Sequence, residues 1–242
     1  MEHGLASSRE KARALILAGE VTVAGQTELR ASALIEEGAE ILLTAGARFA
    51  SRGGEKLDHA LTHFGVDVSG RIALDAGAST GGFTDCLLQR GAARVYAVDV
   101  GHGQLHARLR DDARVVVMER VNARELPRLS ETPSLATVDV AFISLTIVLP
   151  SISASLTSVG DILALVKPQF EAGKGQVDRR GVVRDPLVHA EVIGRVAWWC
   201  VNHGLRVRGV CASPLLGPAG NREFFLWLRK DDDALVRANA PN

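Results

Sequence analysis

Leu74-Asp75-Ala76-Gly77-Ala78-Ser79-Thr80-Gly81-Gly82-Phe83-Thr84-Asp85 decides how the rest of the chain is read. Ile72, Ala73 and Leu74 form a short apolar run of the kind that makes a buried strand. The glycines that follow allow a sharp turn and a close approach by a ligand. Gly82 to Arg90 then reads as a helix that Ser79 and Thr80 can cap, with its first amides pointing into the turn. The stretch has no Gly-Lys-Ser/Thr ending, so it lacks the lysine of a phosphate loop, and its glycine spacing does not fit the dinucleotide fingerprint. One strand later, Arg94-Val95-Tyr96-Ala97-Val98-Asp99 ends a second apolar run in a carboxylate, where an acid binds ribose hydroxyls.

A glycine-rich strand-to-helix turn alone is also what a ligand-free tight turn looks like. The carboxylate at Asp99 separates the two readings. Together they resemble the S-adenosylmethionine pocket of a Rossmann-like methyltransferase, with Asp75, Gly77, Ser79, Thr80, Gly81, Gly82 and Phe83 near the cofactor's amino-acid part and Asp99 at its ribose. Asn122, past the strand at 114–118, is a candidate contact for the adenine edge.

Alternation continues outward from this turn. Strands are expected at 71–75, 94–99, 114–118, 136–143, 160–166, 205–213 and 222–229, with helices at 56–64, 82–90, about 103–110, 145–157 and 186–203. That pattern defines an α/β doubly wound, mostly parallel sheet whose last strand is antiparallel. Ahead of it, a helix opening at Ser7-Ser8-Arg9-Glu10 and short strands at Val21–Ala24 and Glu40–Thr44 make a small α+β unit over 1–47. Residues 48–55 read as a basic, glycine-broken linker, 56–230 as the large domain and 231–242 as a tail.

Composition narrows the possibilities further. The chain has 242 residues, 47% of them apolar, and a formal net charge of zero. No apolar run nears the ~20 residues of a membrane helix, and the N-terminus lacks the pattern of a signal peptide, so a cytoplasmic protein is expected. Cys86, Cys200 and Cys211 are too scattered for a disulfide frame, and no metal site is expected. Basic patches at Arg9, Lys11 and Arg13, at Arg48 and Arg52, and at Lys174, Arg179, Arg180 and Arg184 are candidate RNA contacts despite the neutral total.

Four charged residues stand at the ends of apolar segments: Lys56, Asp139, Lys167 and Glu223. Asp139 interrupts the expected strand 136–143, Lys167 ends Leu163-Ala164-Leu165-Val166 before Pro168, and Glu223 opens Phe224-Phe225-Leu226-Trp227-Leu228. Such strand ends form the ligand-binding edge of an open α/β sheet. Two charges of each sign gathered there can shift proton affinities, and a lysine beside a second cation is a candidate general base.

Ser51-Arg52-Gly53-Gly54-Glu55-Lys56-Leu57, the glycine turn, Asp99-Val100-Gly101-His102-Gly103-Gln104-Leu105, Phe142-Ile143-Ser144-Leu145, Val166-Lys167-Pro168-Gln169-Phe170-Glu171 and the stretch from Gly217 to Leu228 resemble the TlyA (hemolysin A) family. The N-terminal unit is similar to the S-four RNA-binding module, although the helix that usually opens that module has no counterpart ahead of Leu5. The resemblance implies S-adenosylmethionine-dependent 2′-O-methylation of cytidine in ribosomal RNA, acting on ribosomal subunits. It places a Lys-Asp-Lys-Glu tetrad on Lys56, Asp139, Lys167 and Glu223, with Lys167 as base and Asp139 also beside the cofactor. The older family name suggests a membrane-active cytolysin, which the absence of a spanning segment and of an extended amphipathic helix opposes. A non-catalytic RNA-binding protein of the same fold is the remaining alternative, opposed by the intact tetrad.

Overall fold

In the computed structural model the described residues are 4–6, 8–18, 21–28, 30–43, 48–173, 175–217 and 219–230. The N-terminal unit consists of α1 (Arg9–Ala18) and a three-stranded antiparallel sheet, β1 (Val21–Val23), β2 (Gln26–Thr27) and β3 (Ile41–Leu43), in the order β2-β1-β3. The expected strands are present here, and the two-residue β2 is added by the Ala24-Gly25 turn, where both residues adopt positive φ.

The remainder is built on a seven-stranded sheet. In chain order it contains α2 (Gly53–Phe64), β4 (Ile72–Ala76), α3 (Gly82–Gln89), β5 (Arg94–Asp99), α4 (Ala107–Arg110), β6 (Val115–Glu119), β7 (Leu135–Val138), α5 (Leu145–Ser155), β8 (Gly160–Val166), α6 (Pro168–Glu171), α7 (Pro186–Asn202), β9 (Leu205–Ala212) and β10 (Phe224–Lys230). The sheet order is β6-β5-β4-β7-β8-β10-β9, parallel except for β10, which runs antiparallel to both neighbours.

Alternation along the strands divides the interior into two layers. Ala73, Val95, Ala97, Leu135, Leu163, Leu165 and Phe225 face α2 and α3, where they meet Leu57, Leu61, Phe83 and Leu87. The intervening residues, among them Leu74, Tyr96, Val98, Ile162, Ala164 and Leu226, face α5 and α7, where they meet Leu149, Ile152, Val192 and Val196. Burial on both faces explains why these strands read as unbroken apolar runs.

Three sequence expectations are corrected. The strand expected at 136–143 ends at Val138. Residues 140–144 form a turn in which Phe142 has φ 61°, so Asp139 stands just past the strand instead of interrupting it. The stretch 48–55, expected as a linker, carries Phe49 and Ala50 at 2% and 1% exposure into the core, and α2 starts at Gly53. Helix α3 is preceded by Gly81 in the left-handed region with no side-chain cap, so neither Ser79 nor Thr80 caps it.

Candidate active site

The C-terminal ends of β4, β5 and β6 open onto a small cleft lined by Ala78, Ser79, Ala97, Asp99, Gly101, Gln104, Leu105, Val117 and Glu119. Asp99 ends β5 and organises the cleft's wall. Its Oδ2 accepts from the Ser79 amide at 2.8 Å and its Oδ1 from the Gly101 amide at 2.7 Å. Each oxygen keeps a lone pair for a hydroxyl. Glu119 is paired with Asp99 across β5 and β6, and accepts from the Gly103 amide at 2.9 Å while meeting His102 Nδ1 at 2.6 Å and Arg110. Sequence reasoning missed Glu119, although a second carboxylate at the same strand rung was available as a signal.

The turn glycines serve packing as well as ligand approach. A Cβ on Gly77 would lie 2.3 Å from the carbonyl oxygen of Asp139, so this glycine lets the ends of β4 and β7 touch. A Cβ on Gly81 would strike Leu109 and the cleft-lining Leu105, so this glycine lets the turn pack against those two side chains. On Gly82 it would meet Ser51 and the backbone of Gly54, where α3 crosses the start of α2.

Asp75 and Asn122 are placed differently from expectation. Asp75 is fully buried, accepting from Thr84 Oγ1 at 2.6 Å and Thr137 Oγ1 at 3.0 Å, and it lies off the cleft wall. Burial, reinforced by the charge of Asp139, pushes its carboxyl up to about 7, against the two threonine hydrogen bonds. Asn122 is exposed and accepts from the Arg124 amide at 3.0 Å, outside the cleft-lining residues. Phe83 is buried against Phe225 in the core. Thr80 passes its carbonyl to the His106 amide at 3.2 Å, holding the loop over the turn.

The four charged residues stand as two ion pairs, with Lys56 on α2 and Asp139, Lys167 and Glu223 flanking the ends of β7, β8 and β10. Lys56 Nζ lies 2.6 Å from Glu223 Oε2, with both side chains almost fully buried. Lys167 Nζ lies 2.5 Å from Asp139 Oδ1, with a partly open setting. Phe224 pairs with Val166 at the end of the antiparallel β8–β10 ladder, and Glu223 and Lys167 each stand one residue beyond that pair. Each lysine therefore contacts a carboxylate, and not the second cation that the sequence suggested.

Two further contacts strap Asp139 and Lys167 together. Phe142 and Phe170 meet with tilted rings, centroids 4.9 Å apart and planes at 47°, and Glu171 accepts from Ser144 Oγ and the Leu145 amide, each at 2.7 Å. Burial raises the Glu171 carboxyl above its usual range, against those hydrogen bonds. The Asp139 Oδ1 contact with Lys167 is a charge contact only. Among the described residues this oxygen and Gln169 Oε1 are buried without a hydrogen-bond donor. The cleft, with the carboxylates of Asp99 and Glu119 at the ends of neighbouring strands, fits the ribose of a bound nucleoside cofactor.

The basic residues are scattered. Arg9 and Arg13 are exposed on α1, and Arg179 and Arg180 are exposed in the loop before α7. Arg48 lies 2.6 Å from Asp58 and over the Phe49 ring, tying the chain to α2, and Arg52 is half-buried. Lys174, the side chain of Lys11 and the tail at 231–242 lie outside the described residues.

A doubly wound sheet with one antiparallel strand, a glycine turn after β4 and an acid ending β5 defines an S-adenosylmethionine-dependent methyltransferase. The FtsJ-like methyltransferase family matches residues 49–230 and the S4 domain matches residues 2–41. The chain belongs to the FtsJ-like methyltransferases, within the TlyA group that joins them to an S4 domain. It is 48% identical to the 16S/23S rRNA (cytidine-2′-O)-methyltransferase TlyA of Mycobacterium tuberculosis, over 98% of this chain and 90% of that protein. It is also 40% identical to Hemolysin A of Brachyspira hyodysenteriae, over 92% and 94%. A solved Streptococcus thermophilus structure carrying a hemolysin name is 43% identical, covers 96% of this chain and 86% of that one, and superposes with TM-score 0.78. Among the described residues no helix is long and apolar enough to cross a membrane.

Proposed function

We propose that the chain transfers a methyl group from S-adenosylmethionine to the ribose 2′-hydroxyl of cytidine in ribosomal RNA, with Lys167 as general base. The observation that carries this is the pair of ion pairs, Lys167–Asp139 and Lys56–Glu223, in which Lys56 comes from α2 and the other three residues flank the ends of β7, β8 and β10. Asp99 and Glu119 would hold the ribose of the cofactor, and the turn at 77–81 would border its amino-acid part. The bound cofactor supplies an electrophilic methyl on a sulfonium sulfur.

Lys167 Nζ would take the proton of the 2′-hydroxyl as the oxygen bonds to the methyl carbon and the sulfonium's S–CH3 bond breaks to release the neutral thioether. The ammonium that results sits 2.5 Å from Asp139, which stabilises the charge where it develops. Buried Lys56 and Glu223 fix the far side of the site, so alignment contributes much of the rate. Phe142 is 91% exposed and sits three residues from Asp139, where an unstacked base can lie on its ring. Relatives named for the same reaction on 16S and 23S rRNA support the cytidine and ribosomal assignments.

Mapping 2′-O-methyl groups on ribosomal RNA with and without the protein tests the substrate. Single-turnover kinetics test the base. Lys167→Ala should keep cofactor affinity while the transfer rate falls roughly 10²–10⁴-fold. Lys167→Arg should not rescue it, because a guanidinium cannot accept the proton. An arginine variant at near-parental rate would leave Lys167 as an orienting group only.

A further inference from the structure

Helix α7 carries two apolar stripes. His189, Val192, Val196 and Cys200 are buried against the sheet. On the opposite side Leu187, Ala190, Gly194, Trp198 and Val201 are all exposed, with Leu187 78%, Trp198 69% and Val201 59% accessible. At 100° per residue these five span a stripe roughly 80° wide. Their spacing is 3-4-4-3, which reads the same from either end. Gly194 stands at the centre, with nothing within 4 Å of the place its Cβ would occupy.

We propose that this stripe docks a second copy of the same chain, with the two α7 helices antiparallel across a two-fold axis at Gly194. The symmetry then sets Leu187 against Val201 and small Ala190 against large Trp198, while the two glycines let the helix axes approach. Charge supports the same pairing. Glu191 and Arg195, 3.4 Å apart and both exposed, border the stripe on one side. An antiparallel two-fold brings that border onto itself, so Glu191 meets Arg195 of the second copy. A parallel arrangement would instead bring it against the half-buried Ile193 and Ala197. A surface complementary to itself in size and in sign fits another copy better than an unrelated protein. Because one helix pair buries less than a standard interface, the association is weak and depends on concentration.

Sedimentation velocity on the full chain between roughly 1 and 300 µM tests the pairing. The sedimentation coefficient should rise toward that of a dimer. Gly194→Glu should abolish the rise, since two carboxylates meet on the axis. It should keep methyl transfer per chain and the melting temperature at or above the parent's, because glutamate favours the helix more than glycine does. Gly194→Cys, oxidised with copper–phenanthroline, should form a disulfide-linked dimer more readily than Asn202→Cys or the parent. A parent that stays monomeric throughout would overturn the proposal. So would association unaffected by Gly194→Glu, or cross-linking from both cysteine positions alike.

Discussion

Asp75 is a buried carboxyl that the reaction does not consume, and its position makes a measurable demand on pH. Its proton affinity rises on folding, from an ordinary 3.8 to about 7, chiefly through desolvation. The folded chain therefore holds a proton that the unfolded chain has released between those values. Stability attributable to this residue is complete below about pH 4 and is lost as pH rises toward 7. Asp75→Asn removes that dependence while leaving a side-chain oxygen for Thr84 or Thr137. The melting temperature of the variant relative to the parent should thus increase from pH 5 to pH 8, as read by calorimetry. A difference that stays flat would mean Asp75 is ionised at both values. Sequence alone set this residue at the cofactor, because an acid opening a glycine turn looks like a ligand contact. Which way a strand residue points, toward the cleft or between two threonines, is decided by packing from β7 and α3.

Elements arrange the tetrad more than any single side chain does. Asp139 and Lys167 come from the ends of β7 and β8, neighbouring parallel strands, and are fixed by the turn at 140–144 and by α6. Glu171 closes that connection through Ser144 and Leu145. Glu171→Ala should loosen the lysine's position without touching the cofactor cleft, lowering kcat by up to about a hundredfold with cofactor affinity unchanged. Single-turnover rates and calorimetric titration with S-adenosylmethionine separate those effects. A matching loss of cofactor affinity would show that Glu171 supports the cleft instead. The motifs containing Phe142 and Glu171 were visible in sequence as resemblance, and the seven strands as apolar runs between breakers. Invisible were the turn that cuts β7 at Val138 and the partner each lysine takes, because both depend on contacts between segments about thirty residues or more apart.

At the scale of the whole molecule, both hydrophobic clusters lie within residues 49–228, and none of their members comes from the S4-type unit. A chain starting at Arg48 therefore keeps its core, the Arg48–Asp58 pair and the Ala50 amide that donates to Asp85 at 2.7 Å. One starting at Gly54 loses Phe49 and Ala50 and should be destabilised by about 3–5 kcal/mol, the scale of removing a buried phenylalanine. Comparing these two lengths places the domain boundary, which we expect just before Arg48. The longer piece should fold and bind cofactor as the full chain does, yet bind structured RNA more weakly. Arg9 and Arg13, exposed on α1, are then missing from the phosphate contacts. Each lost contact should flatten the slope of log affinity against log salt by about 0.9, so the truncated chain should show a slope shallower by about 1–2. Filter binding on ribosomal RNA fragments at several salt concentrations reads this directly. Equal slopes and equal methylation by the piece starting at Arg48 would remove the N-terminal unit from RNA recognition and leave the exposed Arg179 and Arg180 beside α7 to carry it.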